Sequence, residues 1–235
     1  MKLKTNFLWL ELTFVFLSGM TQFSHAADKT DSNKTMGGEG FLVMGTNRVE
    51  KGLTQTQKDP SIQGQLQLAL GQQISLSLWG ANAFFSDDSN HVHLRGQLNL
   101  IYEMNPQVVF NLNFGANQFS KARSRNGNYG TLGVKAYGVI GQITRDSNFE
   151  GTQSASNHYL VGYTWPLNPS WHWKNTLGLN DMTASGYRDY VDYESVLDFL
   201  FGNKSVSLGV TMATLDSQFE SRAKPNFYLQ FTTRF

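Results

Sequence analysis

Polar side chains recur at every second position along several stretches of this chain. Gln63, Gln65 and Gln67 form one such row. His91, His93, Arg95, Gln97 and Asn99 form a second, and Asn111 and Asn113 begin a third. Farther on, Asp192, Glu194 and Asp198 share a parity, and Lys174 stands among aromatic residues. In extended chain, residues two apart point to the same face. Each row is therefore a ladder of hydrogen-bonding or ionic groups, able to solvate a polar molecule, hold a metal or contribute to hydrolysis. His91 and His93 have a spacing that two metal ligands can use. No third ligand lies close in sequence and cysteine is absent, so the pair reads as part of a polar face and no metal is expected. Ser, His and Asp all occur, but without a Gly-x-Ser-x-Gly elbow. No catalytic residue is assigned, and no cofactor is expected.

The elements carrying these rows are strands. Phe227, Leu229, Phe231, Thr233 and Phe235 alternate with Tyr228, Gln230, Thr232 and Arg234, and the sequence stops on the aromatic ring of Phe235. The same period of two runs through Ile62–Leu70, Ile74–Leu78, Val92–Leu100, Val108–Phe114, Tyr159–Trp165, Trp171–Leu179, Val191–Phe199 and Val206–Met212. A helical period competes nowhere over a similar length. Tight-turn signals at Gly71, Asn105-Pro106, Asn168-Pro169 and Gly202-Asn203 alternate with polar stretches at Ser86–Asn90, Lys121–Asn128, Asp146–Ser154, Asp181–Arg188 and Asp216–Lys224. Short turn followed by long loop is the rhythm of a bacterial outer-membrane barrel. About eleven strands are countable, including one that begins near Phe41. Single-chain bacterial barrels generally have an even number. The Gly-rich stretch Tyr129–Arg145, with a turn near Ala136, supplies the twelfth. The expected fold is all-β: a transmembrane antiparallel up-and-down barrel of twelve strands, with ten as the alternative. Tyr102, Trp165, Trp171, Trp173 and Phe235 cluster beside turns, where a bilayer interface accommodates such rings.

The N-terminus opens with Lys2 and Lys4, an apolar run from Phe7 to Leu17, and Ser24-His25-Ala26. This is the pattern of a secretory signal peptide over residues 1–26. Residues 27–40 read as a flexible periplasmic lead-in, and 41–235 as the barrel. Removing residues 1–26 takes Lys2, Lys4 and Glu11 from 19 basic and 18 acidic residues, leaving the remainder neutral. Neutrality excludes the basic field that a nucleic-acid partner requires.

From Lys51 the sequence reads KGLTQTQKDPSIQG, and Leu78–Asn82 reads LWGAN. This resembles the TorF-family porins of proteobacteria, whose first strands carry an aromatic-Arg-Gly-Leu-Ser-Gln-Thr stretch, then Asp-Pro-Ala-Ile-Gln-Gly, then Val-Trp-Gly-Ser-Asn. The positions in common are Gly52, Leu53, Gln55, Thr56, Asp59, Pro60, Ile62, Gln63, Gly64, Trp79, Gly80 and Asn82. Glu50, Lys51, Thr54 and Ala81 depart from the pattern. The likeness is dense from Lys51 to Asn82 and one of pattern beyond. It implies a twelve-stranded outer-membrane barrel with channel activity.

In a bilayer the apolar face must turn outward, because a charge on the lipid face costs roughly 2–4 kcal/mol at mid-depth. Gln63, Gln65, Gln67, His93, Arg95, Gln97, Asn99, Asn111, Asn113, Lys174, Asp192 and Glu194 would then line a pore. Twelve strands fall between a filled barrel and a wide channel, so the pore is expected to be narrow or partly plugged, with the polar N-terminal segment as one candidate plug. The expected function is a weakly selective outer-membrane porin for small polar solutes or ions in a Gram-negative cell. Its partners would be membrane lipid, lipopolysaccharide and the barrel-assembly machinery reading Phe235; Lys121, Arg123 and Arg125 read first as a solvated loop, with contact to lipopolysaccharide phosphates as the alternative. Two alternatives stand beside it: an outer-membrane hydrolase of lipid or peptide, and a secreted lipocalin-like barrel with the same apolar residues turned inward.

Overall fold

A computed structural model describes residues 37–85, 88–183, 186–214 and 219–235. The segment expected as a signal peptide and most of the expected lead-in lie outside the described residues. The strands in chain order are β1 (Gly37–Gly45), β2 (Val49–Glu50), β3 (Leu53–Thr54), β4 (Ser61–Ala69), β5 (Ile74–Phe85), β6 (Asp88–Asn105) and β7 (Val108–Phe119). They continue with β8 (Gly127–Ala136), β9 (Val139–Asp146), β10 (Ser156–Pro166), β11 (Trp171–Met182), β12 (Tyr190–Phe201), β13 (Lys204–Ala213) and β14 (Asn226–Arg234). β1 and β4–β14 form one closed antiparallel ring of twelve, in which β1 pairs with both β4 and β14. β2 and β3 form a separate two-stranded hairpin. The Gly-rich stretch is the hairpin β8–β9, turning at Tyr137 and Gly138, both with positive φ. Most strands reach or exceed the roughly 9–11 residues a tilted strand needs to cross a bilayer. Among the described residues, no helix is long and apolar enough to do so.

Burial is inverted relative to a soluble barrel. Leu66 is 61% exposed while Gln65 beside it is 8% exposed. The same contrast separates Leu208 from Ser207 and Leu229 from Gln230. The outer surface is a band of Leu, Ile, Val and Phe that only acyl chains can cover without cost, and a lipocalin-like barrel would place these residues inside. Tyr102, Trp165, Trp171, Trp173 and Phe235 are exposed and lie near the short-turn end. The Trp165 and Trp173 rings lie 5.4 Å apart across β10 and β11.

Three details differ from the sequence expectation. β1 begins at Gly37, so 37–40 belong to the barrel wall and not to the lead-in. β5 and β6 run to Phe85 and from Asp88, which leaves no long loop at Ser86–Asn90. Most important, Lys51–Thr54 are not part of a wall strand. The wall resumes at Ser61; of the fifteen residues from Thr46 to Pro60, Asn47–Thr56 turn into the lumen, while Thr46 and Gln57–Pro60 are exposed.

Candidate functional site

The inward turn begins where β1 ends. Asn47, Arg48, Val49, Lys51, Leu53, Thr54, Gln55 and Thr56 are all buried, although they lie between two surface strands. Lys51 and Gly52, both with positive φ, make the two-residue turn of the β2–β3 hairpin, a geometry that glycine tolerates at little cost. Asn47 ties the base of the hairpin together, its side-chain oxygen accepting from the hydroxyls of Thr54 (2.6 Å) and Thr56 (3.0 Å). Asn82 fixes the exit, accepting from the Ile62 amide at 2.7 Å and donating to the Pro60 carbonyl at 2.9 Å.

The hairpin crosses the barrel. Phe84 on β5 donates its backbone amide to the Gln55 carbonyl. At the tip, the Lys51 ammonium pairs with Asp146 at the end of β9, the strand opposite β1 in the ring. Tyr190 on β12 donates to the Lys51 carbonyl at 3.2 Å. A Cβ added at Gly52 would stand 2.7 Å from the Asp192 Cβ and 3.0 Å from the Ala213 Cβ. The turn thus seats directly against β12 and β13, where a side chain would collide.

At the flank of the hairpin sits an ionic cluster. Glu50 accepts from Arg95 at 2.8 Å and pairs with Arg48 at 3.4 Å. Both guanidiniums lie near the Trp79 ring, 4.9 Å away for Arg48 and 5.2 Å for Arg95, at cation–π distance. Arg48 also donates to His93 Nδ1 at 2.7 Å. A guanidinium only donates, so Nδ1 is the acceptor. His93 Nε2 then carries the proton and donates to Asn117 at 3.0 Å. Arg95 donates to the same Asn117 oxygen at 2.8 Å.

A second cluster closes over the tip at the long-loop end. Glu150 receives Arg125 and Arg222, each at 2.8 Å, and Gln55 at 3.1 Å. Burial raises the Glu150 carboxyl, but Arg222 and Arg125 together outweigh it and hold it below its ordinary value. Leu53 packs with Phe149, Met182, Tyr190, Phe219 and Ala223 in an apolar knot made from the hairpin, two long loops and the facing ends of β11 and β12.

The rows marked out in the sequence are distributed as follows. Gln63, Gln65, Gln67, His93, Arg95, Asn99, Asn111, Asn113, Lys174, Asp192 and Glu194 are buried on the inner face, and Gln97 is partly buried there. His93 and Arg95 meet the hairpin. Lys174 pairs with Glu194 at 3.0 Å, and Tyr228 donates to Glu194 at 2.7 Å. Asp192, beneath the tip, accepts from Asn180 at 2.7 Å and lies 3.0 Å from His158 Nε2. His91 and His93 are not brought to a common ligand. His91 Nδ1 accepts from the Ala122 amide, and among the described residues no group of three or more His, Asp or Glu is placed to hold a metal. Of the loop cations, Arg125 turns to Glu150 while Lys121 and Arg123 are exposed. Of the resemblance motif, Gly52, Leu53 and Gln55 form the hairpin and Trp79 its ionic flank. Asp59 and Pro60 lead into β4, and Asn82 is the clasp. Ile62, Gly64 and Gly80 share the outward parity of β4 and β5, whereas Gln63 points inward. Arg48, Glu50, Glu150 and Arg222 escaped sequence reasoning; charges two apart beside Gly52 were the available signal.

No family model matches the chain, and no curated protein matches it. Solved structures do. The KdgM porin superposes with a TM-score of 0.55 at 9% identity, covering 84% of this chain and 98% of its own. An outer membrane channel from Pseudomonas putida F1 gives 0.52 at 14% identity over 88% and 100%. The NanC porin gives 0.52 at 12% identity over 83% and 98%. The likeness is one of fold, to barrels of the outer-membrane porin type.

Proposed function

We propose that this protein is a narrow outer-membrane porin that passes small polar solutes, with the infolded segment 47–56 as its constriction. The observation that carries this reading is a barrel with an apolar exterior and a polar lumen, crossed by a hairpin that bonds to β5, β6, β9 and β12. Solute then passes beside the Arg48–Glu50–Arg95 cluster and along the inner rows of Gln63, Gln65 and Gln67 and of Asn111 and Asn113. The KdgM porin is described in complex with disordered oligogalacturonate; a polar solute is proposed here for a lumen of the same general build. The resemblance around Lys51–Asn82 supports placement with the TorF-family porins. The reading includes export by residues 1–26 and insertion in a Gram-negative outer membrane. It also includes contact of Lys121 and Arg123 with lipopolysaccharide, and use of Phe235 by the assembly machinery.

Planar-bilayer recording of the refolded chain without residues 1–26 tests it. Discrete conductance steps are expected, with weak ion preference that moves towards cations when Arg95 and Lys174 are neutralised. A correctly folded, heat-modifiable barrel that conducts nothing, even with the hairpin excised, would refute the reading.

A further inference from the structure

We infer that the outer face of β10–β12 is an interface at which two copies of this chain pair in the membrane, centred on Asn175. The lipid-facing residues of β11 are Trp171, Trp173, Asn175, Leu177 and Leu179, because His172, Lys174, Thr176 and Gly178 between them are buried inside. Register sets Tyr163 of β10 opposite Asn175, and Asn175 opposite Ser195 of β12. All three are partly exposed. Asn175 stands four residues beyond Trp171, and therefore roughly 10 Å inside the aromatic belt, past the reach of headgroups. Elsewhere on the described outer wall, amide, aliphatic hydroxyl and charged side chains stand near strand ends, as Gln118, Arg145, Asp181, Lys204 and Thr233 do. Asn82 is committed to the clasp. Asn175 and Ser195 are the exception.

Acyl chains offer such groups no partner, so polar atoms at this depth are matched by protein or left at a cost. The single barrel matches them in part. Tyr193 donates to the Asn175 oxygen at 2.6 Å, and Trp173 donates through Nε1 to the Ser195 hydroxyl at 2.9 Å. Both bonds use Asn175 and Ser195 as acceptors. Asn175 Nδ2 is covered in the single barrel and has no protein acceptor. A second copy carries the matching groups. Both copies cross the bilayer in the same sense, so their two-fold axis runs along the membrane normal and the face meets itself. An axis beside Asn175 brings the two amides together and sets the Tyr163 side of one copy against the Ser195 side of the other. An amide both donates and accepts, so a turn of the Asn175 side chain gives its nitrogen the oxygen of the other copy. Surrounding rings supply contact area: Trp165 and Trp173 lie 5.4 Å apart, and Trp171 and Phe199 4.8 Å. β5, opposite β11 in the ring, faces lipid with Ile74, Leu76 and Leu78, which acyl chains cover without loss. Pairing uses only the outer wall and is independent of what passes the lumen.

The chain contains no cysteine, so single substitutions report on this face without background. In vesicles at high lipid excess, the refolded chain without residues 1–26 is expected to be dimeric, counted by two-step photobleaching of a single dye per chain. Leu177→Cys, which leaves Asn175 and Ser195 intact, should be joined to its copy by a short bis-maleimide. Leu78→Cys, at a similar depth on β5, should not. Asn175→Leu with Ser195→Ala should raise the protein-to-lipid ratio needed for pairing about tenfold, the worth of one or two hydrogen bonds in lipid. Heat-dependent gel mobility confirms that this double variant is folded. Single-step bleaching of the original chain would overturn the inference and leave the porin reading intact. Equal joining through Leu78→Cys, or undiminished pairing of the folded double variant, would overturn it too.

Discussion

Glu50 bridges two guanidiniums that would otherwise repel each other across the Trp79 ring. Removing one member of a buried ionic set costs on the order of 3 kcal/mol, because the partners stay behind uncompensated. Glu50→Gln should therefore loosen the hairpin and turn the channel towards anions, read as a shift in reversal potential under a salt gradient. Gly52→Ala acts at the other end. The left-handed conformation alone costs an L residue about 1 kcal/mol or more, and the new methyl meets Asp192 and Ala213. Unseating of the tip should appear as a larger and noisier single-channel current, with no loss of barrel mobility on gels. At this scale the sequence was informative about facing and silent about partners. Alternation put Gln63, Gln65 and Gln67 on one side of a strand. That Arg48 meets His93 follows only from a segment folding back across the lumen.

The infolded segment is a separable element, since β1 and β4 hold each other through nine register pairs without it. Replacing 46–60 by a short turn should leave the barrel intact and raise conductance several-fold, measured in planar bilayers. The outer cluster makes the segment sensitive to acid. The Glu150 carboxyl lies below its ordinary value of 4.5 when its cations surround it. A depressed carboxylate contributes stability that is complete above the unfolded value and is lost as pH falls through the folded one. As pH falls through that depressed folded-state value, the bonds to Arg125, Arg222 and Gln55 should therefore weaken and conductance rise, whereas Glu150→Gln should flatten that dependence. Most wall strands were legible because a period of two repeats over nine or more residues; the eight-residue β9, in the Gly-rich stretch, was reached only through the even strand count. The hairpin was not, because each of its strands has two residues. Its contacts, such as Arg222 to the Thr54 carbonyl, lie 168 residues apart. The motif drew attention to Lys51–Asn82, yet its glycines and threonines suited a wall strand as well as an inner turn.

Closure of the whole ring depends on one short ladder. β1 meets β14 over five register pairs, Phe41–Gly45 against Gln230–Arg234. Gly40 and Phe235 extend it by a reciprocal pair of backbone hydrogen bonds, at 2.9 and 3.0 Å. The Phe235 ring lies where a Gly40 side chain would be, so ring and glycine lock the seam on its lipid face. Removing Phe235, or Gly40→Val, should open the barrel at lower denaturant, seen as loss of heat-modifiable mobility at a lower urea concentration. A geometric consequence concerns timing. Leu53 is made early in the chain but packs on Phe219 and Ala223, just ahead of the last strand. A cork that grips both the first and the final staves cannot be driven home until the cask is hooped. Maturation should thus finish with an internal, slow docking event after the ring has formed, leaving newly closed molecules leakier than aged ones.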